Sequence, residues 1–161
     1  MNPEITLLVH NIRSTHNVGA IFRTAEGFGV KKIILSGYTP YPELSLCSKA
    51  PACALVDGEI RSEDPRLPHI REKITSQIHK TALGAESLVP FEFYEDINDW
   101  IKENQQTENL PIIALEQSKD SVMLPEFQPP KKFALLLGEE VHGITPELLD
   151  NCDFTVEIPM F

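Results

Sequence analysis

Two short stretches of the sequence combine polar side chains with glycine in patterns that suit ligand binding. In the first, Asn11 and Asn17 supply amide donors and acceptors, and Gly19 allows backbone or a ligand to come close. Arg23 follows about one and two-thirds turns into a predicted helix. A purely structural interpretation remains open, in which Asn17 caps the helix, Gly19 relieves packing and Arg23 is a solvated helix residue.

The second stretch encloses two carboxylates between glycines, with Gly138 before Glu139 and Glu140 and with Gly143 after them. Because it follows an apolar strand, the pattern predicts a tight turn whose backbone N–H groups can face a ligand. A turn with solvated acids is the structural alternative. His142 could act as a general base, although a single histidine in a turn is more often incidental. The sequence contains neither a GxGxxG nor a GxxxxGKS phosphate-binding motif.

The elements that must position these stretches alternate between strand and helix. Apolar periodicity predicts strands at 5–9, 32–36, 87–93, 111–116, 133–137 and 154–158, and helices at 17–27, 69–80, 97–104 and 146–150. A strand, a helix and a second strand form a βαβ unit, which implies parallel pairing through a right-handed crossover. The predicted fold class is therefore α/β with one mainly parallel sheet.

Proline interrupts this alternation at residues 38–68 and 125–130. The density of proline in 38–68 argues against a long helix or a central strand, so we expect a long insertion that runs over the surface. Its role is open between an RNA contact and a solvated loop. The segment 125–130 is predicted to be a linker.

Length and composition describe an ordinary globular chain. With 161 residues, 42% hydrophobic and 24% charged, we expect a single domain over 1–161 with its own core. The apolar runs are too short to cross a membrane, and an acidic residue stands where a signal peptide would be basic. The three cysteines match no CxxC spacing, so we expect reduced thiols, no metal site and a cytoplasmic protein.

The net charge of −10 argues at first against a nucleic-acid partner, since phosphate contacts require lysine and arginine. The excess of acid lies almost entirely in residues 81–161, whereas residues 1–39 are slightly basic. Charge over the whole chain says little about one face of it. An acidic enzyme acting on small molecules remains an alternative on charge alone.

Taken together, the two stretches resemble the SpoU (TrmH-like) branch of the SPOUT RNA 2′-O-ribose methyltransferases. The first family motif is matched by Asn11, Asn17, Gly19, Arg23, Thr24 and Ala25. The second, Leu-Gly-x-Glu-x-x-Gly, is matched by Leu137, Gly138, Glu140 and Gly143. Residues 80–86 and 37–40 also look like segments of this family, so the resemblance spans nearly the whole chain.

The resemblance implies properties that composition and periodicity do not reveal. It implies a SPOUT-type α/β knot, S-adenosylmethionine as the cofactor, and an RNA substrate, with tRNA preferred to rRNA because family members of this minimal size tend to act on tRNA. It also implies a homodimer whose subunits build the active site together. Neither a metal ion nor a membrane is expected to take part.

The residue roles implied by the resemblance fall into three groups. Catalysis is expected of Arg23, Asn17 and Glu140, with Arg23 stabilising the alkoxide that develops at the ribose 2′-oxygen. Substrate binding is expected of Asn11 and Arg13. Cofactor binding is expected of Leu137, Gly138, Gly143, Ile158 and Met160.

The third family motif begins at Ile158-Pro159-Met160 and would continue beyond Phe161 through a glycine to Ser-Leu-Asn-Val-Ser. We therefore expect a C-terminally truncated catalytic domain with an incomplete knot. The leading hypothesis is 2′-O-ribose methylation of RNA that depends on S-adenosylmethionine. The alternative is a catalytically inactive paralogue that serves as an RNA-binding or dimerisation module.

Overall fold

The structure is a computed structural model that describes residues 3–46 and 53–160. Its strands are β1 Glu4–His10, β2 Lys32–Ser36, β3 Cys53–Val56, β4 Glu59–Arg61, β5 Phe91–Tyr94, β6 Ile112–Leu115, β7 Val122–Met123, β8 Lys132–Leu137 and β9 Phe154–Glu157. Its α-helices are α1 Thr15–Phe28, α2 Pro68–Ala82, α3 Ile97–Gln106 and α4 Pro146–Leu149. Short 3-10 turns occupy Leu44–Leu46, Ala85–Ser87 and Leu124–Glu126.

All of these strands join one sheet, in the order β4-β3-β5-β2-β1-β8-β6-β9-β7. Each neighbouring pair is parallel except β3 with β4. The N-terminal strand β1 lies at the centre, where Leu8 pairs with Ile34 on one side and with Leu136 on the other. The predicted α/β class with a mainly parallel sheet is confirmed.

Apolar layers cover both faces of the central strands, because successive side chains point to opposite faces of a sheet. On one face α1 and α2 contribute to a core in which Phe22 meets Phe91 edge-on, with 5.6 Å between ring centroids. On the other face α3 and α4 contribute Trp100 and Leu148 to a second core around Leu8. Strands buried on both faces explain the continuous apolar runs in the sequence.

Helix α1 carries the first motif, and its two ends are fixed by hydrogen bonds. Ser14 caps its start, since the Ser14 hydroxyl accepts a hydrogen bond from the Asn17 N–H at 3.2 Å. Gly29 ends it in the left-handed region at φ 67°. The predicted helix with a stop at Gly29 is confirmed. The suggestion that Asn17 is the capping residue is wrong, which leaves the Asn17 side chain available for another partner.

The expectation that residues 38–68 contain no central strand is wrong for Cys53–Val56. This strand, β3, lies between β4 and β5, and Ala54 within it is fully buried. None of the prolines of the segment lies within β3 or β4, so proline removes no backbone N–H donor from either strand. The segment therefore extends the sheet instead of only covering its surface.

Arg66 joins the residues that follow β4 to Tyr41, which lies in the buried core. Its guanidinium lies over the Tyr41 ring, 3.7 Å from the centroid, and donates to the Tyr41 carbonyl oxygen at 2.7 Å. It also pairs with the nearly buried Asp64 carboxylate at 2.6 Å. Burial opposes ionisation of Asp64, but the hydrogen bonds from Arg66 outweigh it and hold the pKa of Asp64 below its usual value.

The remaining elements differ from the predictions mainly at their boundaries. The strand predicted at 87–93 begins only at Phe91, because the 3-10 turn Ala85–Ser87 comes first. The short edge strand Val122–Met123 was not predicted, and the 3-10 turn Leu124–Glu126 occupies the start of the expected linker.

Two of the cysteines lie among the described residues, and both are free thiols. Burial raises the pKa of Cys53, and it raises the pKa of Cys152 to about 11. Cys47 lies outside the described residues. None of the helices described is both long enough and apolar enough to cross a lipid bilayer.

Helices α1 and α2 approach each other closely at Gly19. A Cβ atom at this position would lie 2.1 Å from the Thr81 hydroxyl oxygen and 2.3 Å from the Ile78 carbonyl oxygen. The Thr81 hydroxyl also donates to the His16 carbonyl oxygen at 2.8 Å, which ties the two helices together. Gly19 therefore serves helix packing, as the structural interpretation predicted.

We expect Gly19→Ala to lower the free energy of unfolding by about 1–3 kcal/mol, because the added methyl group forces backbone to move. Gly27→Ala is the matched control in the same helix, since no atom lies within 4 Å of a Cβ there. It should raise the free energy of unfolding by up to about 1 kcal/mol through helix propensity. Denaturant titration measures the free energy of unfolding of both variants. Equal changes in the two variants would contradict the close approach of α1 and α2 at Gly19.

Candidate active site

The candidate site lies at the edge of the sheet where the parallel strands reach their carboxyl ends. Because β1, β2, β6, β8 and β9 run in one direction, the loops that follow them share this edge. The loops after β1 and β8 contain the two motifs. The loops after β2, β6 and β9 surround them.

The loops after β1 and β2 are bound to each other through Asn11. Asn11 adopts a left-handed backbone at φ 58°, and its side-chain oxygen accepts a hydrogen bond from the Tyr38 N–H at 3.3 Å. A Cβ at Gly37 would lie 2.0 Å from this oxygen, so the contact requires glycine there. Asn11 is one of the two residues predicted to bind substrate, and its side-chain oxygen is thus already hydrogen-bonded within the protein.

Asn17 and Glu140 meet directly, although they are far apart in the sequence. The Asn17 side-chain amide donates a hydrogen bond to Glu140 Oε1 at 3.0 Å, and both side chains are exposed. The adjacent Glu139 lies 3.6 Å from the Arg13 guanidinium. The consecutive carboxylates therefore each hold one residue of the first motif, and the structure brings the two motifs into contact.

Arg13 is a cation held against an aromatic ring. Its guanidinium carbon lies 5.2 Å from the centroid of the Tyr38 ring. Hydrogen bonding to Tyr38, followed by the charge of Glu139, raises the pKa of Arg13 above its usual value. The Arg13 side chain is nevertheless 73% exposed, so it can contact a ligand without leaving this position.

Arg23 is not part of this contact. It is exposed on α1, six residues after Asn17, which separates the two by about 9 Å along the helix axis and by about 240° around it. Among the residues that the structure describes, Arg23 has no hydrogen-bond or ion-pair partner. A single chain therefore brings together Asn17 and Glu140 but leaves Arg23 on another side of the helix.

The loop after β8 forms the predicted tight turn. The Gly143 N–H donates to the Glu139 carbonyl oxygen at 3.0 Å, and Gly143 adopts φ 69°. A Cβ at Gly138 would lie 2.4 Å from the Ile144 side chain, so this position also requires glycine. The Nδ1 atom of His142 lies 3.1 Å from Glu139 Oε2, and the His142 side chain is 77% exposed.

Glu116 holds this loop from the end of β6 and was not singled out from the sequence. Its Oε2 accepts a hydrogen bond from the Ile144 N–H at 2.8 Å, and its Oε1 accepts one from the Gln117 N–H at 2.9 Å. A Cβ at Gly143 would lie 2.2 Å from Glu116 Oε2, so the loop is shaped around this carboxylate. In the sequence, the only feature that could have pointed to Glu116 was its position at the carboxyl end of a predicted strand.

A cleft of about 200 Å³ lies beside Glu116 and is lined by Leu115, Glu116, Gln117, Glu157, Ile158 and Met160. Two of the predicted cofactor residues, Ile158 and Met160, thus lie at the cleft, and Gly138 and Gly143 shape the neighbouring loop. Leu137 instead lines an apolar groove between α1 and the sheet. The cleft is smaller than the roughly 300–1,000 Å³ of typical ligand sites.

Comparison with known proteins gives consistent matches. The model of the SpoU rRNA Methylase family matches residues 66–161, more than half of the chain. The tRNA (guanosine(18)-2'-O)-methyltransferase of Saccharomyces cerevisiae is 37% identical over 95 residues, which cover 57% of this chain and 6% of that protein. The 23S rRNA (guanosine-2'-O-)-methyltransferase RlmB of Coxiella burnetii is 24% identical over 161 residues, which cover 98% of this chain and 50% of that protein.

The fold is shared with a solved structure of an rRNA methyltransferase. The AdoMet-bound rRNA methyltransferase of Sinorhizobium meliloti aligns with a TM-score of 0.70 at 21% identity, covering 100% of this chain and 50% of that one. The chain thus spans about half the length of these bacterial proteins and a small part of the yeast protein. From the match of the family model over residues 66–161, we conclude that this chain belongs to the SpoU rRNA methylase family.

Proposed function

We propose that this protein transfers a methyl group from S-adenosylmethionine to a ribose 2′-oxygen of RNA, with tRNA preferred to rRNA as the substrate. The observation that carries the proposal is the Asn17–Glu140 hydrogen bond, which joins the two motifs beside the Glu116 cleft. The names of the relatives support it, since they describe 2′-O-methylation of guanosine in tRNA and in 23S rRNA.

The residues around the Glu116 cleft fit part of S-adenosylmethionine. Ile158 and Met160 offer exposed apolar surface at the cleft, and Glu116 links the cleft to the loop after β8 through the Ile144 N–H. When bound there, the cofactor supplies an electrophilic methyl group. The AdoMet-bound relative of the same fold supports this assignment.

The polar residues of the site would orient the RNA. Asn17, held by Glu140, offers a side-chain amide that can position the ribose or its phosphate. Arg23 would hold a phosphate and stabilise the negative charge that develops on the 2′-oxygen. A guanidinium is a poor proton acceptor, so the role of Arg23 is electrostatic and not that of a general base.

A homodimer is part of this proposal. Arg23 lies on a different side of α1 from Asn17, so one chain does not assemble the three proposed catalytic residues. Arg23 of one protomer would complete the Asn17–Glu140 pair of the other.

We further propose that residues 1–161 form one catalytic domain and that the protein is cytoplasmic. The free thiols of Cys53 and Cys152 support the cytoplasmic location.

Arg23→Ala is expected to lower methyl transfer by about a hundredfold or more, while leaving the affinity for S-adenosylmethionine unchanged. The assay supplies labelled S-adenosylmethionine and an unmodified tRNA transcript, and mass spectrometry identifies the methylated nucleoside. Glu26→Ala is the matched control, because Glu26 is an exposed residue of the same helix. Full activity of Arg23→Ala would remove Arg23 from the mechanism. Cofactor and RNA binding without transfer by the wild type would favour the inactive RNA-binding module.

Mixing two inactive variants tests the shared site. In a heterodimer of Arg23→Ala with Glu140→Ala, one of the two sites receives all the unmodified residues. Random exchange of subunits should therefore restore about a quarter of wild-type activity. If each chain carried a complete site of its own, the mixture would stay as inactive as the separate variants.

Glu116→Ala is expected to weaken binding of S-adenosylmethionine about tenfold, because it removes the acceptor of the Ile144 N–H and frees the loop after β8. Glu116→Gln keeps an acceptor oxygen and should lose less. Isothermal titration calorimetry measures both affinities, with the exposed Glu126→Ala as the control. Unchanged affinity in Glu116→Ala would separate this carboxylate from the cofactor site.

A further inference from the structure

The Tyr38 ring has no role in the proposed function, yet it stands at the same edge of the sheet. It follows the end of β2, and the residue is 48% exposed. Large aromatic side chains are usually buried, and an exposed one beside a functional site is a candidate for ligand contact.

The backbone that carries Tyr38 is held rigidly. The Tyr38 N–H donates to Asn11, and the Gly37 N–H donates to the Tyr94 carbonyl oxygen at 3.2 Å. The next residue, Thr39, is buried, and its hydroxyl donates to the Ser36 carbonyl oxygen at 2.7 Å, lies 3.1 Å from the Val9 carbonyl oxygen and accepts from the Ile12 N–H. The ring is therefore displayed from a fixed turn, which lowers the entropy lost when a ligand stacks on it.

Tyr38 and Arg13 form one composite surface. The guanidinium lies 5.2 Å from the ring centroid, and it also lies 3.6 Å from the Glu139 carboxylate. The residue next to Glu139 is Glu140, which binds Asn17. The consecutive residues Glu139 and Glu140 thus link the surface formed by Tyr38 and Arg13 to Asn17.

Flat π surfaces and guanidinium planes are the groups on which proteins stack the bases of single-stranded RNA. This chain has 14 Lys and Arg against 24 Asp and Glu, so contacts to phosphate alone are a limited source of RNA affinity. Stacking on an exposed aromatic ring does not require positive charge. It therefore suits an acidic protein.

We propose that Tyr38 and Arg13 form a stacking platform for an unpaired nucleobase of the RNA substrate, next to the ribose that is methylated. This inference rests on the proposed function and adds the residue that holds a base. Stacking accepts any base, so the platform contributes affinity and orientation, and it leaves the choice of sequence to other contacts.

The first test measures binding of an unmodified tRNA transcript to the 161-residue chain and to two variants. Tyr38→Leu removes the aromatic face and keeps an apolar side chain, whereas Tyr38→Phe keeps the face. We expect Tyr38→Leu to weaken RNA binding about tenfold or more, and Tyr38→Phe to stay within about threefold of the wild type. Affinity for S-adenosylmethionine and the melting temperature should stay unchanged in both.

The outcomes separate the platform from the proposed function. If the wild type binds and methylates tRNA and Tyr38→Leu does so equally well, the platform is refuted and methylation stands. If the wild type binds no tRNA, the proposed function is refuted and the platform with it. If Tyr38→Leu loses cofactor affinity and thermal stability together with RNA binding, Tyr38 serves packing and the platform is refuted.

A second test detects the stack directly. The chain has one tryptophan, Trp100, which is 6% exposed, so Tyr38→Trp adds an indole that solvent and RNA can reach. Stacking of a base predicts quenching of its fluorescence that saturates at the same RNA concentration as binding. Unchanged emission at saturating RNA would refute direct contact between the base and position 38.

Discussion

The parallel pairing of β1 with β8 is the constraint on which the candidate site depends. It joins strand ends that lie more than a hundred residues apart in the sequence, with Val9 beside Leu137. The two motifs begin immediately after these strands, so their loops have to meet at the same edge. The hydrogen bond between Asn17 and Glu140 and the ion pair between Arg13 and Glu139 follow from that register.

The carboxylates at the candidate site are bound by other groups of the protein, although the chain as a whole carries a net charge of −10. At the site, each carboxylate has a partner within the protein: Glu139 faces Arg13, Glu140 faces Asn17, and Glu116 accepts two backbone N–H groups. Arg23 has no such partner among the described residues, and the Arg13 guanidinium is largely exposed. Of the three carboxylates, Glu139 faces a cation, whereas Glu140 and Glu116 are hydrogen-bonded to neutral groups and keep their negative charge.

Sequence patterns predicted the local elements well, because periodicity and capping act over a few residues. The strands 5–9, 32–36 and 133–137 and the stop at Gly29 are confirmed. One miss is local, since Ser14 and not Asn17 caps α1. The other misses are contacts between distant segments: β3 pairs with β5, and Glu116 supports a loop that follows another strand. Such partners leave no periodic signal. The α/β knot and the roles of the individual site residues stay predictions implied by the resemblance.

The central position of β1 also has a consequence for how the chain acquires its structure during synthesis. β1 leaves the ribosome before the other described strands, yet its neighbour β8 ends at Leu137, so one flank of β1 stays unpaired until most of the described chain has emerged. Parallel pairing over such a separation is slow, because closing a long loop has to precede any gain from contact. The nascent chain therefore exposes an apolar strand edge for longer than a local hairpin would, and folding intermediates of this protein should be substrates for chaperones.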